Sequence, residues 1–282
     1  MLTIKEVLLR TSAFFESKGI TNPRLNAELV LACGLALPSR LEIYLQHDRP
    51  LEECELEQVR PLVKRRAKGE PIQYIEGRAN FMGMDFQVDD NVLIPRPETE
   101  ELVEKLYNLY ENDQPSTILD LGTGSGILAI SLAKHFTDAL ATAVDLSPQA
   151  LSIASENANI HEIADRVTFL ESDWYSKVDG KFDLIVSNPP YLTECELVNA
   201  EKEVREFEPT LALVASGEYG EESLFKVLEG AISHINPGGI VAMETGISQH
   251  SLLMNKTKSL GFTKYWGEKD LLDRDRFFFA QL

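Results

Sequence analysis

Two rhythms of apolar positions divide this chain, a spacing of three to four residues at the start and short unbroken runs further on. Ile4, Val7, Leu8, Leu9, Phe14 and Phe15 follow the first rhythm, opening on Thr3-Ile4-Lys5-Glu6 and running out at Lys18-Gly19. The opening has the form of a capping box, with Thr3 as cap and Glu6 reaching back. Asn22-Pro23 predicts a second helix with Asn as cap and Pro in its first position; Leu25, Leu29, Val30 and Ala32 supply its buried stripe and Gly34 its stop. A short third helix after Ser39 carries Leu41, Ile43, Tyr44 and Leu45, and a fourth runs from about Leu51 through Leu56, Val59, Leu62 and Val63 to Lys68-Gly69. Residues 1–70 therefore read as a small helical bundle with no catalytic grouping, a recognition module or a lid.

Glu70-Pro71 breaks the helices. Ile72-Gln73-Tyr74-Ile75 and the stretch from Phe81 to Val88, with Gly77 and Gly83 as turn points, predict a β-hairpin connector over 71–96. Pro97 opens a helix with Glu98, Glu100 and Glu101 in its first turn, where the helix dipole favours acids, and Leu102, Val103 and Leu106 on its apolar face. Arg96, held between two prolines, reads as an ion-pair staple to those glutamates in preference to a ligand contact. From there the second rhythm takes over. Strands are expected at 117–121, 139–144, 167–170, 182–186 and 239–244, helices at 127–134, 148–159 and 224–235, and a last strand pair around Lys264-Tyr265-Trp266 and Arg276-Phe277-Phe278-Phe279-Ala280. This alternation over 97–282 predicts an α/β domain whose sheet is mostly parallel, with helices on both faces.

Composition narrows the function classes. The chain has 282 residues, 44% hydrophobic and 26% charged, enough for one large domain with a small one beside it. It lacks the run of about 18 apolar residues that a membrane span needs, and Met1-Leu2-Thr3-Ile4-Lys5-Glu6 does not have the layout of a secretory signal. Cys33, Cys54 and Cys195 are odd in number and widely spaced, as expected of inert thiols in a reducing cytoplasm. The formal net charge of −18 argues against naked nucleic acid as the substrate, which calls for a basic face. Lys64, Arg65, Arg66 and Lys68 read as a solvated helix end complementing the dipole.

The chemistry gathers after the run Phe182-Asp183-Leu184-Ile185-Val186, at Ser187-Asn188-Pro189-Pro190-Tyr191. Each proline fixes φ, lacks an N–H and drives its predecessor out of the helical region. The segment is thus a stiff loop at the carboxyl end of a strand, where open α/β sheets bind ligands. The Asn188 side-chain oxygen and the Pro189 carbonyl can hold the two hydrogens of a planar substrate nitrogen, with Pro190 stiffening the loop and Tyr191 packed on the plane. The plainer reading is a rigid turn with an incidental tyrosine.

A second grouping is Asp120-Leu121-Gly122-Thr123-Gly124-Ser125-Gly126, between a strand and a helix. Its alternate glycines let the backbone turn tightly and approach a ligand, and the next helix points free N–H groups at it. The dinucleotide fingerprint fails, because Ile127 follows Gly126 and Asp120 sets a negative charge where a pyrophosphate would lie; a cationic or zwitterionic ligand suits it better. Asp145, ending the next strand, can accept both hydroxyls of a ribose, or else cap a helix, a task for which Ser147 and Pro148 already serve. Asp173-Trp174 can hold and cover an adenine, with core packing of Trp174 an open alternative. Ribose, adenine and a positive tail together describe S-adenosylmethionine better than NAD.

These stretches resemble the class I methyltransferases that modify an amide or amino nitrogen. Gly69-Glu70-Pro71-Ile72-Gln73-Tyr74-Ile75-Glu76-Gly77, Leu93-Ile94-Pro95-Arg96-Pro97-Glu98-Thr99-Glu100, and Phe207-Glu208-Pro209 with Leu211-Ala212-Leu213 narrow the likeness to the bacterial PrmC/HemK family over nearly the whole chain. Ser125, where many relatives have Thr, departs from the pattern without touching the backbone role of the loop. The resemblance implies a Rossmann-like class I methyltransferase domain behind a helical bundle that docks the substrate. It implies S-adenosylmethionine as methyl donor, S-adenosylhomocysteine as product and class I peptide chain release factors as partners, methylated on the glutamine nitrogen of their Gly-Gly-Gln motif. A cytoplasmic monomer is expected, with neither metal nor covalent nucleophile. The rival reading is adenine N6 methylation of nucleic acid, in which the same Asn188-Pro189-Pro190-Tyr191 loop would grip a flipped base. A third is an idle module that only senses S-adenosylmethionine.

Overall fold

The helical spacing at the start of the chain is realised in Ile4–Ser17, Pro23–Gly34, Glu42–Leu45, Glu53–Ala67 and Ile72–Glu76. In this computed structural model, which describes residues 1–282, those helices belong to a unit made of Met1–Arg78 with Glu201–Phe207. Its core is Ile4, Leu8, Phe15, Val30, Leu31, Ile43, Leu51 and Val59, drawn mostly from the apolar stripes of the first four helices. The capping box at Thr3 and Glu6 is present in both directions. Asn22, by contrast, makes no capping hydrogen bond; it sits in the left-handed region, and Pro23 alone supplies the start signal. The basic stretch at 64–68 does form the end of a helix, yet Arg66 is buried within it. Its guanidinium donates to Asn26 Oδ1 at 2.6 Å, to the Glu70 carbonyl at 2.8 Å and to Glu203 at 2.5 Å.

The expected hairpin over 71–96 needs correction. Ile72–Glu76 is a helical turn, opened by Pro71 and closed by Gly77 in the left-handed conformation, so proline at the entrance and glycine at the exit override the strand propensity of the two isoleucines. The hairpin itself is β1 (Arg78–Phe81) with β2 (Met84–Gln87), turned by Met82 and Gly83, both at positive φ.

The second unit, Ala79–Ala200 with Glu208–Leu282, holds the sheet. Its strands are β3 (Thr117–Leu121), β4 (Leu140–Asp145), β5 (Val167–Glu171), β6 (Phe182–Ser187), β7 (Ile235–Glu244), β8 (Lys264–Lys269) and β9 (Asp275–Gln281). Their order is β5-β4-β3-β6-β7-β9-β8, with β3 to β7 mutually parallel and β9 antiparallel to both β7 and β8. The mostly parallel sheet is as the alternating rhythm predicts. Side chains alternate between two cores. Ile118, Leu184, Val186, Phe277 and Phe279 face Leu102, Leu106 and Leu128 on one side. Leu119, Ile185, Val241 and Phe278 face Leu224, Val227 and Leu253 on the other. Both faces are covered, which is why these strands read as continuous apolar runs. The helix His250–Leu260 and the short helices Glu194–Asn199, Lys202–Phe207 and Thr210–Leu213 were not foreseen from the spacing.

Two features of this topology position the site. The chain proceeds outward from β3 to β4 and β5, then returns to β6 on the other side of β3, so β3 and β6 flank the switch point. At the carboxyl ends of those strands lie Gly122–Gly126 and Asn188.

Candidate active site

A cavity of about 450 Å³ opens at this switch point, lined by the glycine loop, Asp145, Asp173, Trp174, Asn188, Pro190, and stretches of 90–96 and 209–216. Of the residues singled out in sequence, Gly122, Thr123, Gly124 and Ser125 also line it. Asp120, Gly126, Pro189 and Tyr191 do not.

The glycine loop is held by its immediate neighbourhood. The N–H groups of Gly122 and Thr123 both donate to the Val144 carbonyl, at 2.8 and 2.9 Å. Gly122 and Gly124 adopt positive φ, and a Cβ on either would point into open space. Gly126, at φ +86°, caps the next helix; a Cβ there would meet Ile130 Cδ1 at 2.9 Å and Ala154 Cβ at 3.1 Å. Asp120 is fully buried behind the loop. Its Oδ2 accepts the Thr123 hydroxyl at 2.6 Å and the Ala129 N–H at 3.0 Å, while Oδ1 has no hydrogen-bond partner. Burial, only partly offset by those donors, pushes its carboxyl up to about 7. Asp145 accepts the Gly124 N–H on Oδ2 and the Ser147 N–H on Oδ1, both at 2.9 Å, and burial raises its pKa also. The helix start is capped by Ser147, whose oxygen accepts from Ala150 N–H at 3.2 Å.

Trp174 lines the cavity and packs on the core beside it, so the two readings of this residue coexist. Its φ of +50° is uncommon for a bulky side chain. Buried Ser172 stabilises that turn by donating its hydroxyl to the Trp174 carbonyl at 3.0 Å and accepting the Lys177 N–H at 3.0 Å.

The Asn188 loop is held differently, by side chains remote in sequence. Asn188 Nδ2 donates to Thr99 Oγ1 at 3.1 Å, and Thr99 Oγ1 donates to Glu244 Oε2 at 2.7 Å. Tyr191 donates its hydroxyl to the other Glu244 oxygen at 2.9 Å and receives the Arg276 guanidinium at 3.2 Å. Glu244 ends β7 and is 1% exposed; burial raises its pKa against the pull of these donors. The Tyr191 carbonyl accepts from Gln249 at 3.0 Å, and Gly220 approaches it so closely that a Cβ would lie 2.3 Å from the oxygen.

Arg96 does not staple the glutamates of its own helix. Its guanidinium pairs with Glu208 at 2.6 Å, because Glu208 is a buried carboxylate in need of a cation, whereas Glu98 pairs with Arg274 at 3.0 Å. Glu208 also accepts the Ile94 N–H at 3.3 Å, so the Ile94-Pro95-Arg96 wall of the cavity is tied to Glu208-Pro209. Sequence reasoning missed Thr99, Glu208 and Glu244 as parts of the site. It also missed Asn157, whose amide donates to the Ser125 carbonyl at 2.8 Å and so braces the glycine loop. Only Glu244 carried a local signal, an acid at the carboxyl end of a strand like Asp145.

Fold and site together define a methyltransferase of class I. A family model described as the methyltransferase small domain matches residues 98–218, and one described as the PrmC N-terminal domain matches residues 6–77. The fold is shared with the catalytic domain of hMettl16, at 14% identity and a TM-score of 0.57, over 78% of this chain and 81% of that one.

The relatives are more particular. The chain is 45% identical to the release factor glutamine methyltransferase of Chlorobaculum tepidum, over 86% of this chain and 85% of that protein. It is 39% identical to that of Geobacter sulfurreducens, over 97% of this chain and 95% of its relative. The chain belongs to the release factor glutamine methyltransferase family.

Proposed function

We propose that this protein methylates the side-chain amide nitrogen of the glutamine in the Gly-Gly-Gln motif of class I peptide chain release factors, with S-adenosylmethionine as the donor. The observation that carries the reading is the Asn188 amide. Its nitrogen is engaged by Thr99, which leaves its oxygen as the end that can meet a ligand, and the residue lines the cavity.

The cavity fits the donor. Gly122 and Gly124 leave room that a side chain would fill, and Asp145 and Trp174 offer an acceptor for ribose and a ring for adenine. When bound, S-adenosylmethionine supplies an electrophilic methyl group. The protein's own part is positioning. An amide nitrogen is a poor nucleophile, since its lone pair is delocalised into the carbonyl. Asn188 Oδ1 accepts an N–H group of the incoming glutamine, fixes the nitrogen and shifts electron density onto it. Pro190 and Tyr191 keep the loop stiff, Tyr191 through Glu244. We assign the helical unit to docking of the release factor, and the protein to the compartment of that partner, the cytoplasm.

The test is competition between substrates. Labelled S-adenosylmethionine offered with purified release factor, DNA and RNA is expected to mark the release factor alone. Label confined to nucleic acid overturns the reading in favour of adenine methylation.

A further inference from the structure

The side chains behind Asn188 decide more than its place. Thr99 is fully buried in the first turn of the helix Pro97–Leu109, and its single hydroxyl proton has two candidate acceptors, Glu244 and Asn188. Glu244 already receives the Tyr191 hydroxyl on its other oxygen, and Arg276 donates to that same hydroxyl, so the carboxylate sits in a cluster with a cation. An ionised carboxylate, the form that the neighbouring Arg276 favours, can only accept. Thr99 therefore turns its proton to Glu244 and leaves a lone pair toward Asn188, which only the NH₂ end of the amide can satisfy. The opposite end, Oδ1, is then the one left open.

We propose that Thr99, turned by Glu244, is a positioning residue that sets the Asn188 oxygen toward the cavity and thereby makes the site select a side-chain amide over a carboxylate. This deepens the reading of glutamine as the substrate and rests on it. A glutamine brings N–H groups to that oxygen. A glutamate in the same place has no N–H to give and sets its negative charge against an acceptor, so it is excluded by the same contact that holds the amide.

The inference separates hydroxyl chemistry from packing. Thr99→Val keeps the shape of the side chain and removes its hydroxyl; Thr99→Ser keeps the hydroxyl and removes a methyl. Both variants are first compared with wild type by melting temperature, which Thr99→Val is expected to lower because it strips a donor from buried Glu244, and by affinity for S-adenosylmethionine, which the proposal leaves unchanged. Turnover on release factor is expected to fall roughly 10- to 100-fold in Thr99→Val, the range for outer-shell partners of a preorganised site, and to stay within about 3-fold in Thr99→Ser. A release factor with glutamate in place of the target glutamine is expected to compete poorly against wild type and better against Thr99→Val, whose Asn188 amide is free to turn. Independently of turnover, the Asn188 side-chain NH₂ resonance of the ligand-free protein, assigned by its loss in Asn188→Ala, should exchange slowly with solvent in wild type and Thr99→Ser and rapidly in Thr99→Val. The inference is overturned if Thr99→Val is the milder variant, as simple packing predicts, or if its NH₂ signal and glutamate discrimination match wild type. Wild type that is silent on release factor overturns the glutamine reading itself, and the selectivity argument with it.

Discussion

The two loops that meet at the cavity are stabilised in opposite ways. The loop from Asp120 to Gly126 draws most of its hydrogen bonds from nearby, from Thr123, Ala129 and the neighbouring strand end at Val144 and Asp145, with one brace from the Asn157 side chain. The Asn188 loop depends on Thr99, Glu244, Gln249 and Arg276, which come from three other stretches of chain. A loop held mostly within its own strand–helix–strand unit suits a cofactor shared by many enzymes. A loop built on imported side chains suits a contact that must discriminate one substrate nitrogen. Damage to the first should therefore appear in cofactor affinity, and damage to the second in turnover.

The largest effect is expected at Asn188. Asn188→Ala should lower the transfer rate on the order of 10²–10³-fold, as for loss of a preorganised hydrogen-bonding group, with S-adenosylmethionine affinity by calorimetry little changed. Equal loss in both quantities would erase the division between the loops.

Two glycines sharpen it at intermediate cost. Gly126→Ala places a Cβ against Ile130 and Ala154 at positive φ, and Gly220→Ala places one against the Tyr191 carbonyl, also at positive φ. Each should cost about 1–3 kcal/mol in denaturant unfolding. Their functional signatures should differ: weaker cofactor binding for Gly126→Ala, lower kcat on release factor for Gly220→Ala. Identical signatures would mean that the two loops move as one.

The effect least tied to turnover is electrostatic. The folded-state pKa of Asp120 lies at about 7, above its ordinary value of 3.8, so between those values the folded protein holds a proton that the unfolded chain has released. Asp120 thus favours the ligand-free fold at low pH, and that contribution is lost as pH rises through about 7. Asp120→Asn should remove a downward slope on the order of 1 kcal/mol per pH unit across this window. Parallel pH–stability curves for the variant and wild type would contradict the burial argument.

The same contrast explains what could be read in the sequence. Glycines at alternate positions, an acid before them and an acid ending the next strand all lie within one strand–helix–strand unit, where spacing translates directly into geometry. The prolines of the Asn188 loop are equally local, and they announce its stiffness. What they cannot announce is which end of the amide faces the substrate, since that is settled by Thr99 and Glu244, which hydrogen bond across 145 residues of chain. Arg96 carried the same ambiguity. Its nearest acids are the glutamates that follow it, but a first-turn glutamate is stabilised by the helix dipole and solvent, whereas buried Glu208 has the greater need of a cation. The helical turn Ile72–Glu76 shows the converse, a local signal misread: Pro71 and Gly77 outweigh the two isoleucines between them.

The measurement that bears most directly on the account is mass mapping of the methyl group on release factor after reaction with wild type and with Asn188→Ala. The account predicts one added methyl on the side-chain nitrogen of the Gly-Gly-Gln glutamine with wild type, and its near absence over the same time with the variant. A methyl on any other residue, or equal methylation by the two proteins, would contradict it.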